Sequence, residues 1–125
     1  MLRYEKLTVK AQDALQVAQD IAAKNGQQQL EPLHLLAALV AQQDGVVPPL
    51  LSRLGARPEA LSGEIQTQIA RLPKVSGVSQ QYLSEASNQV LEKAFEEAEA
   101  FKDEYVSAEH ILLAIAARES DPALR

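Results

Sequence analysis

The residues of this chain best equipped for chemistry are its two histidines, His34 and His110, and a run of carboxylates between Glu92 and Glu104. Each histidine stands fifth in a similar ten, LEPLHLLAAL at 30–39 and VSAEHILLAI at 106–115. Imidazoles can move protons near neutral pH or bind a metal ion. A zinc-type site takes more ligands than two, however, and here there is neither cysteine nor an H-x-x-x-H pair to complete one. The spacing predicts a structural role. With Glu31 and Ser107 as helix N-caps, His34 and His110 fall at the third helical position, from which a side chain reaches back to the cap residue.

The carboxylates read the same way. Glu92, Glu96 and Glu99 share the outward face of a helix, where nothing desolvates them enough for acid–base work. Asp103, Glu104 and Glu109 instead gather at a loop between two helices, where they would form a polar rim. The five glycines are scattered, and none opens a phosphate-binding loop or a dinucleotide fingerprint. No Ser-His-Asp set comes with a nucleophile elbow. On its residues the chain is not an enzyme, and it calls for no metal.

What must position these residues is an aliphatic, helical framework. Hydrophobic residues make up 46% of the 125, while aromatics are 4% and Trp is absent, so Leu, Ala, Ile and Val must build the core. One domain of this length can bury a core. Residues 1–72 carry seven basic and seven acidic side chains, and residues 73–125 carry five and ten, which places the whole net charge of −5 in the second part. No basic stripe is present, which sets nucleic-acid binding aside. The N-terminal residues lack the apolar run of a signal peptide, and Leu35–Ala41 is too short to span a membrane, so a cytoplasmic location is expected.

The histidine pattern recurs because a larger unit recurs. A shift of 76 lays Thr8–Ala41 on Ser84–Ala117 without a gap, pairing Leu15 with Leu91, Ala18 with Ala94, Ala22 with Ala98, His34 with His110 and Leu36 with Leu112. Each copy begins with an amphipathic helix. Ala11, Ala14, Leu15, Ala18, Ile21 and Ala22 form the buried stripe of the first, capped by Thr8 and stopped by Asn25-Gly26. Val90, Leu91, Ala94, Phe95, Ala98 and Phe101 form that of the second, capped by Ser84. A short loop leads in each copy to a second helix, opened by Pro32 or capped by Ser107. The first of these is apolar nearly all round and is expected at the centre.

Two further helices follow in copy one. Pro48-Pro49 open one that ends at Gly55, and Pro58 opens the other, with Leu61, Ile65, Ile69 and Leu72 on one face. Residues 73–80 read as a linker. The domain organisation expected is one all-α domain, with repeat one at 8–72 and repeat two at 81–125. Repeat two is cut where its third helix should start, at Asp121-Pro122, and its last residues are expected to fray. Stacking two such halves leaves a seam, which is either packed core or a peptide site.

The double pattern resembles the Clp N-terminal repeat domain, which precedes the ATPase rings of Clp/Hsp100 unfoldases. The resemblance is carried by Thr8-x-x-Ala11-x-x-Ala14-Leu15-x-x-Ala18, His34-Leu35-Leu36 and Glu109-His110-Ile111-Leu112. Glu31-Pro32-Leu33-His34-Leu35 and Arg71-Leu72-Pro73 look like the ClpB disaggregase branch. The resemblance implies an all-α fold of roughly eight helices in two pseudo-symmetric repeats. It also implies recruitment of unfolded or aggregated polypeptide to a homohexameric threading machine, with ATP and Mg confined to ATPase domains absent from this chain. The alternative it implies is an adaptor-docking domain of the ClpC/ClpA type. The implied peptide groove takes in Thr8, Leu91, Phe95, Asp103, Glu109 and His110, with His34 and Ser107 as helix-capping residues. Glu97 and His110 stand where a ClpB-type groove can carry leucine, so a smaller apolar floor is expected here.

Overall fold

A computed structural model describes residues 3–76 and 81–120. The second half of the linker, residues 77–80, and the tail from Asp121, where truncation and fraying are expected, lie outside the described residues. The chain begins with a 3₁₀ turn, Tyr4–Lys6, and then forms α1 (Val9–Lys24), β1 (Gln29–Leu30), α2 (Pro32–Ala41), α3 (Val47–Arg53) and α4 (Pro58–Ala70). After the linker come β2 (Tyr82–Leu83), α5 (Glu85–Ala100) and α6 (Ala108–Ser120).

The shift of 76 carries α1 onto α5 from end to end and the start of α2 onto the start of α6. The caps repeat as well. The Thr8 hydroxyl accepts from the Ala11 N–H at 3.1 Å, and the Ser84 hydroxyl accepts from the Ser87 N–H at 3.0 Å. Both long helices end in the same reversal, in which the Gln27 N–H reaches the Ala22 carbonyl at 2.9 Å and the Asp103 N–H reaches that of Ala98 at 2.8 Å. This turn needs a left-handed residue. Gly26 supplies it at φ 67° in copy one, whereas Lys102 holds φ 61° in copy two without a glycine's freedom.

Alanines line the first helix of each copy where its neighbour crosses. Ala11, Ala14, Ala18 and Ala94 are completely buried, so backbones approach closely and the Leu and Ile side chains fill the remaining space. Leu15, Leu30, Leu35, Leu39, Leu91, Val90, Val106 and Ile111 join them in one core that spans both copies. As expected, α2 is the most enclosed helix, with His34, Leu35, Ala37, Ala38, Leu39 and Val40 all buried. A second cluster forms where α4 lays Ile65 and Ile69 against Ala37 and Val40.

Two expectations need correction. Phe101 does not continue the buried stripe of α5. It is the residue after the helix, at φ −85° and ψ 0°, and is 66% exposed. The helix before Gly55 starts one residue earlier than its prolines suggest, at the completely buried Val47.

The short strands have no counterpart in the sequence reading, and they tie the copies together. β1 pairs in parallel with β2, Leu30 opposite Leu83, while Leu7 bridges Val106. These pairings are the same contact seen from the two sides, because the shift of 76 carries Leu7 to Leu83 and Leu30 to Val106. The hydrogen bonds agree. The Thr8 N–H donates to the Val106 carbonyl at 2.9 Å, and the Ser84 N–H donates to that of Leu30 at 3.1 Å. The lead-in of each copy is thus bonded into the loop of the other.

Candidate functional site

The histidines lie at two matching helix starts. His34 Nδ1 accepts the Glu31 N–H at 2.9 Å, and His110 Nδ1 accepts the Ser107 N–H at 2.9 Å. An Nδ1 that accepts leaves the proton of a neutral ring on Nε2, which then donates. In copy one it donates to Gln27 Oε1 at 2.7 Å, and Gln27 Nε2 in turn donates to the Ile69 carbonyl at the end of α4 at 2.7 Å. In copy two it faces Asp103 Oδ2 at 3.0 Å. Gln27 and Asp103 are themselves partners under the 76-residue shift.

Their chemistry follows from their cover. Gln27 is 2% exposed beneath the end of α4, where a carboxylate would be costly and an amide can satisfy both neighbours. The Asp103 side chain is 52% exposed, where water can reach its carboxyl group. Burial holds the His34 imidazole below the ordinary histidine range, against a smaller opposing pull from Glu31. With both ring nitrogens engaged, neither histidine presents a lone pair for a metal. Among the described residues, no three His, Cys, Asp or Glu side chains converge on a metal position.

The residues singled out for the groove are distributed as follows. Thr8 is half-buried and spends its hydroxyl on the α1 cap. Leu91 is 2% exposed and belongs to the core, so it supports the surface from beneath. Phe95 packs half-buried on that core, and the Arg3 guanidinium lies 5.7 Å above its ring centre. Asp103, Ser107 and His110 meet in one hydrogen-bonded group, with the Ser107 hydroxyl 2.9 Å from His110 Nδ1. Glu109 is exposed one residue before that histidine.

Several open grooves border the copies. One of about 400 Å³ runs between α5 and α6, among Gln89, Lys93, Glu96 and Arg118, with Arg118 donating to Gln89 across it. Another, of about 610 Å³, lies where Pro32, Leu33 and Leu36 of α2 face Ile115 and Arg118 of α6. A third, of about 390 Å³, follows the seam between α1 and β2 and is lined by Tyr4, Leu15, Gln16, Gln19, Leu30 and the Gln81–Leu83 segment. None of these three is lined by the six predicted groove residues. Sequence reasoning missed Arg3, Gln19, Gln27 and Tyr82. For Gln27 a signal was available, since the shift that aligns the histidines also lays it on Asp103.

A mostly helical domain of two interlocked repeats, each closed by a histidine at a helix start, defines a repeat module with exposed seams. The model of the Clp repeat (R) N-terminal domain matches residues 6–125, and the chain belongs to that family. It is 40% identical over 115 residues to the chaperone protein ClpB of Clostridium tetani, a match covering 89% of this chain and 13% of that protein. The chain therefore spans only about an eighth of the length of the curated relatives it matches. The Hsp104 N-terminal domain from Candida albicans superposes with a TM-score of 0.80 at 28% identity, covering 88% of this chain and 73% of that one. A ClpV N-domain in complex with a VipB peptide shares the fold at a TM-score of 0.76 and 18% identity, covering 93% and 71%. This is an N-terminal domain of the Clp/Hsp100 chaperone type.

Proposed function

We propose that the chain is the substrate-recruiting N-terminal domain of a ClpB-type disaggregase, with repeat one at 8–72, a linker at 73–80 and repeat two at 81–125. The observation that carries this reading is the 40% identity to a ClpB chaperone across 89% of the chain. In this reading the domain works in the cytoplasm and holds unfolded or aggregated polypeptide weakly, without sequence specificity. ATP and Mg serve other parts of a hexameric protein. Weak binding suits the task, because a tightly held segment would not pass onward.

Phe95 offers the apolar contact, and Asp103, Glu104 and Glu109 are exposed around the turn that joins α5 to α6. That acidic rim favours apolar segments flanked by Lys or Arg, and salt weakens the preference. An NMR titration with an aggregation-prone unfolded polypeptide tests the reading. Shifts gathered around Thr8, Leu91, Phe95, Asp103, Glu109 and His110 are expected at modest affinity, and a spectrum that does not move would sink it.

A second reading, docking of one defined adaptor in the ClpC/ClpA manner, draws support from the ClpV N-domain, whose fold is shared and which was solved with a single peptide. One tight stoichiometric partner recovered from cells would favour it over recruitment of many clients.

A further inference from the structure

We propose that this domain binds a second copy of itself head to tail, the turn between α3 and α4 of one copy occupying the acidic rim between α5 and α6 of the next. This rests on the reading of that rim as the place where basic-flanked apolar segments are held. It adds a competitor for the rim, carried on the domain's own surface.

The competing segment is residues 50–57, LLSRLGAR. Val46, Leu50 and Leu54 recur at a spacing of four and form an exposed row beside the inward-facing Val47 and Leu51. Leu54 is 74% exposed, more than any other large hydrophobic side chain among the described residues. Arg53 and Arg57 stand exposed before and after it, and neither has an ion-pair partner among the described residues. The backbone holds this turn in place. The Gly55 N–H donates to the Ser52 carbonyl at 3.1 Å and the Ala56 N–H to that of Leu51 at 2.9 Å, with Gly55 at φ 89°. A turn already ordered loses little chain entropy when it docks.

The receiving surface is complementary in charge and chemistry. Phe101 and Tyr105 are 66% and 46% exposed on the turn after α5, and Glu104 is exposed in the chain between them. Residues 96–109 carry six carboxylates against one lysine, Lys102, whereas residues 46–58 carry two arginines and no acid. A guanidinium both pairs with a carboxylate and stacks on an aromatic face, and this turn offers both. Two different surfaces meet, so copies arranged on a ring can repeat the contact from each to the next. An eight-residue turn falls short of the roughly 20 residues a side of a stable interface. The contact is therefore weak between free domains, and tethering in a hexamer raises its occupancy. The rim then stays covered until a polypeptide displaces the neighbour.

Intermolecular paramagnetic relaxation tests this. Ser52→Cys, at an exposed position of a chain without cysteine, carries a nitroxide, and this copy is mixed with an isotope-labelled, unaltered one. Broadening is expected at Phe101, Glu104 and Tyr105 of the labelled copy. It should fade in about 1 M salt, where screening shortens to about 3 Å. Arg53→Glu with Arg57→Glu in the nitroxide copy should remove it, and Glu104→Lys with Glu109→Lys in the receiving copy should bring it back. A lysine-flanked unfolded peptide should displace the nitroxide copy.

No broadening, broadening elsewhere, or broadening indifferent to charge reversal would overturn the self-contact. So would a peptide that binds the rim without displacing the nitroxide copy. In each case a lysine-flanked peptide that shifts Asp103 and Glu109 leaves the recruiting role standing. Broadening that follows the charges while no peptide moves any signal would keep the self-contact and sink the recruiting role.

Discussion

His34 and His110 occupy one place in two copies of the same helix start, yet their surroundings have diverged. In copy one the ring is completely buried and its outer nitrogen is tied through Gln27 to the end of α4. In copy two the ring keeps a slight exposure, and its partner Asp103 stands half in water. The same contrast runs through the helices that carry them. Ala37 of α2 is 7% exposed beneath α4, while its counterpart Leu113 of α6 is 54% exposed. A shared backbone motif fixes where the imidazole sits, and the cover above it decides whether neutral or charged partners surround it.

Removing each ring is the strongest way to break this comparison. His34→Ala leaves a part-buried backbone N–H and the buried Gln27 side-chain carbonyl unpaired and opens a cavity, a loss of about 3 kcal/mol. His110→Ala exposes its orphaned groups to nearby water and should cost about 1 kcal/mol. Urea unfolding of the two variants measures the gap, and equal losses would show that cover is not what separates the sites.

Acid should distinguish them next. Folding holds His34 below its ordinary value of 6.5, so below that pH the unfolded chain binds more protons than the folded one. Stability that is complete above pH 6.5 should therefore fall as the pH drops through the window beneath it. Melting temperatures from pH 7.5 to 5 check this, and the slope of His34→Ala should be shallower than that of the unaltered chain.

The left-handed turns give a smaller and opposite-signed pair. Lys102→Gly should stabilise the domain by about 1 kcal/mol by relieving a conformation that costs a side chain. Gly26→Ala should destabilise it by a similar amount, about 1 kcal/mol, through φ alone. Among the described residues, a Cβ at Gly26 would meet nothing closer than the Val75 carbonyl at 3.6 Å. The smallest effect belongs to Asp44→Asn. Its ion pair with Lys10 at 2.6 Å pulls the Asp44 carboxyl down, the hydrogen bond first, but the pair lies in solvent and its loss should leave the melting temperature unmoved.

Much of this divergence was written in residue types, and some was hidden for identifiable reasons. The helix starts were legible because Thr8, Pro32, Pro58, Ser84 and Ser107 each mark one by local chemistry. The end of α5 was not. Its turn uses Lys102 where copy one uses glycine, so no punctuation separated Phe101 from the stripe before it. The two-residue strands left no trace, since such short segments show no alternation and are defined only by partners far along the chain. Gln27 is invisible to a search for titratable groups, although it links His34 to the end of α4 through two buried hydrogen bonds. The grooves depend on which side chains face an opening, and spacing along one helix cannot say that. Leu91 shows the cost, because its position was legible and its depth was not.

The crossed lead-ins bear on how the protein is made. Leu30 cannot meet Leu83 until the lead-in of the second copy has left the ribosome, nor Leu7 meet Val106 until the turn between α5 and α6 has followed it. The first repeat, though finished early as sequence, must wait with its β1 edge unpaired and its first residues unanchored. Contacts this distant along the chain close late and slow folding. An N-terminal domain of the Clp/Hsp100 chaperone type would then itself pass through the nascent, half-paired condition that brings other proteins to chaperones.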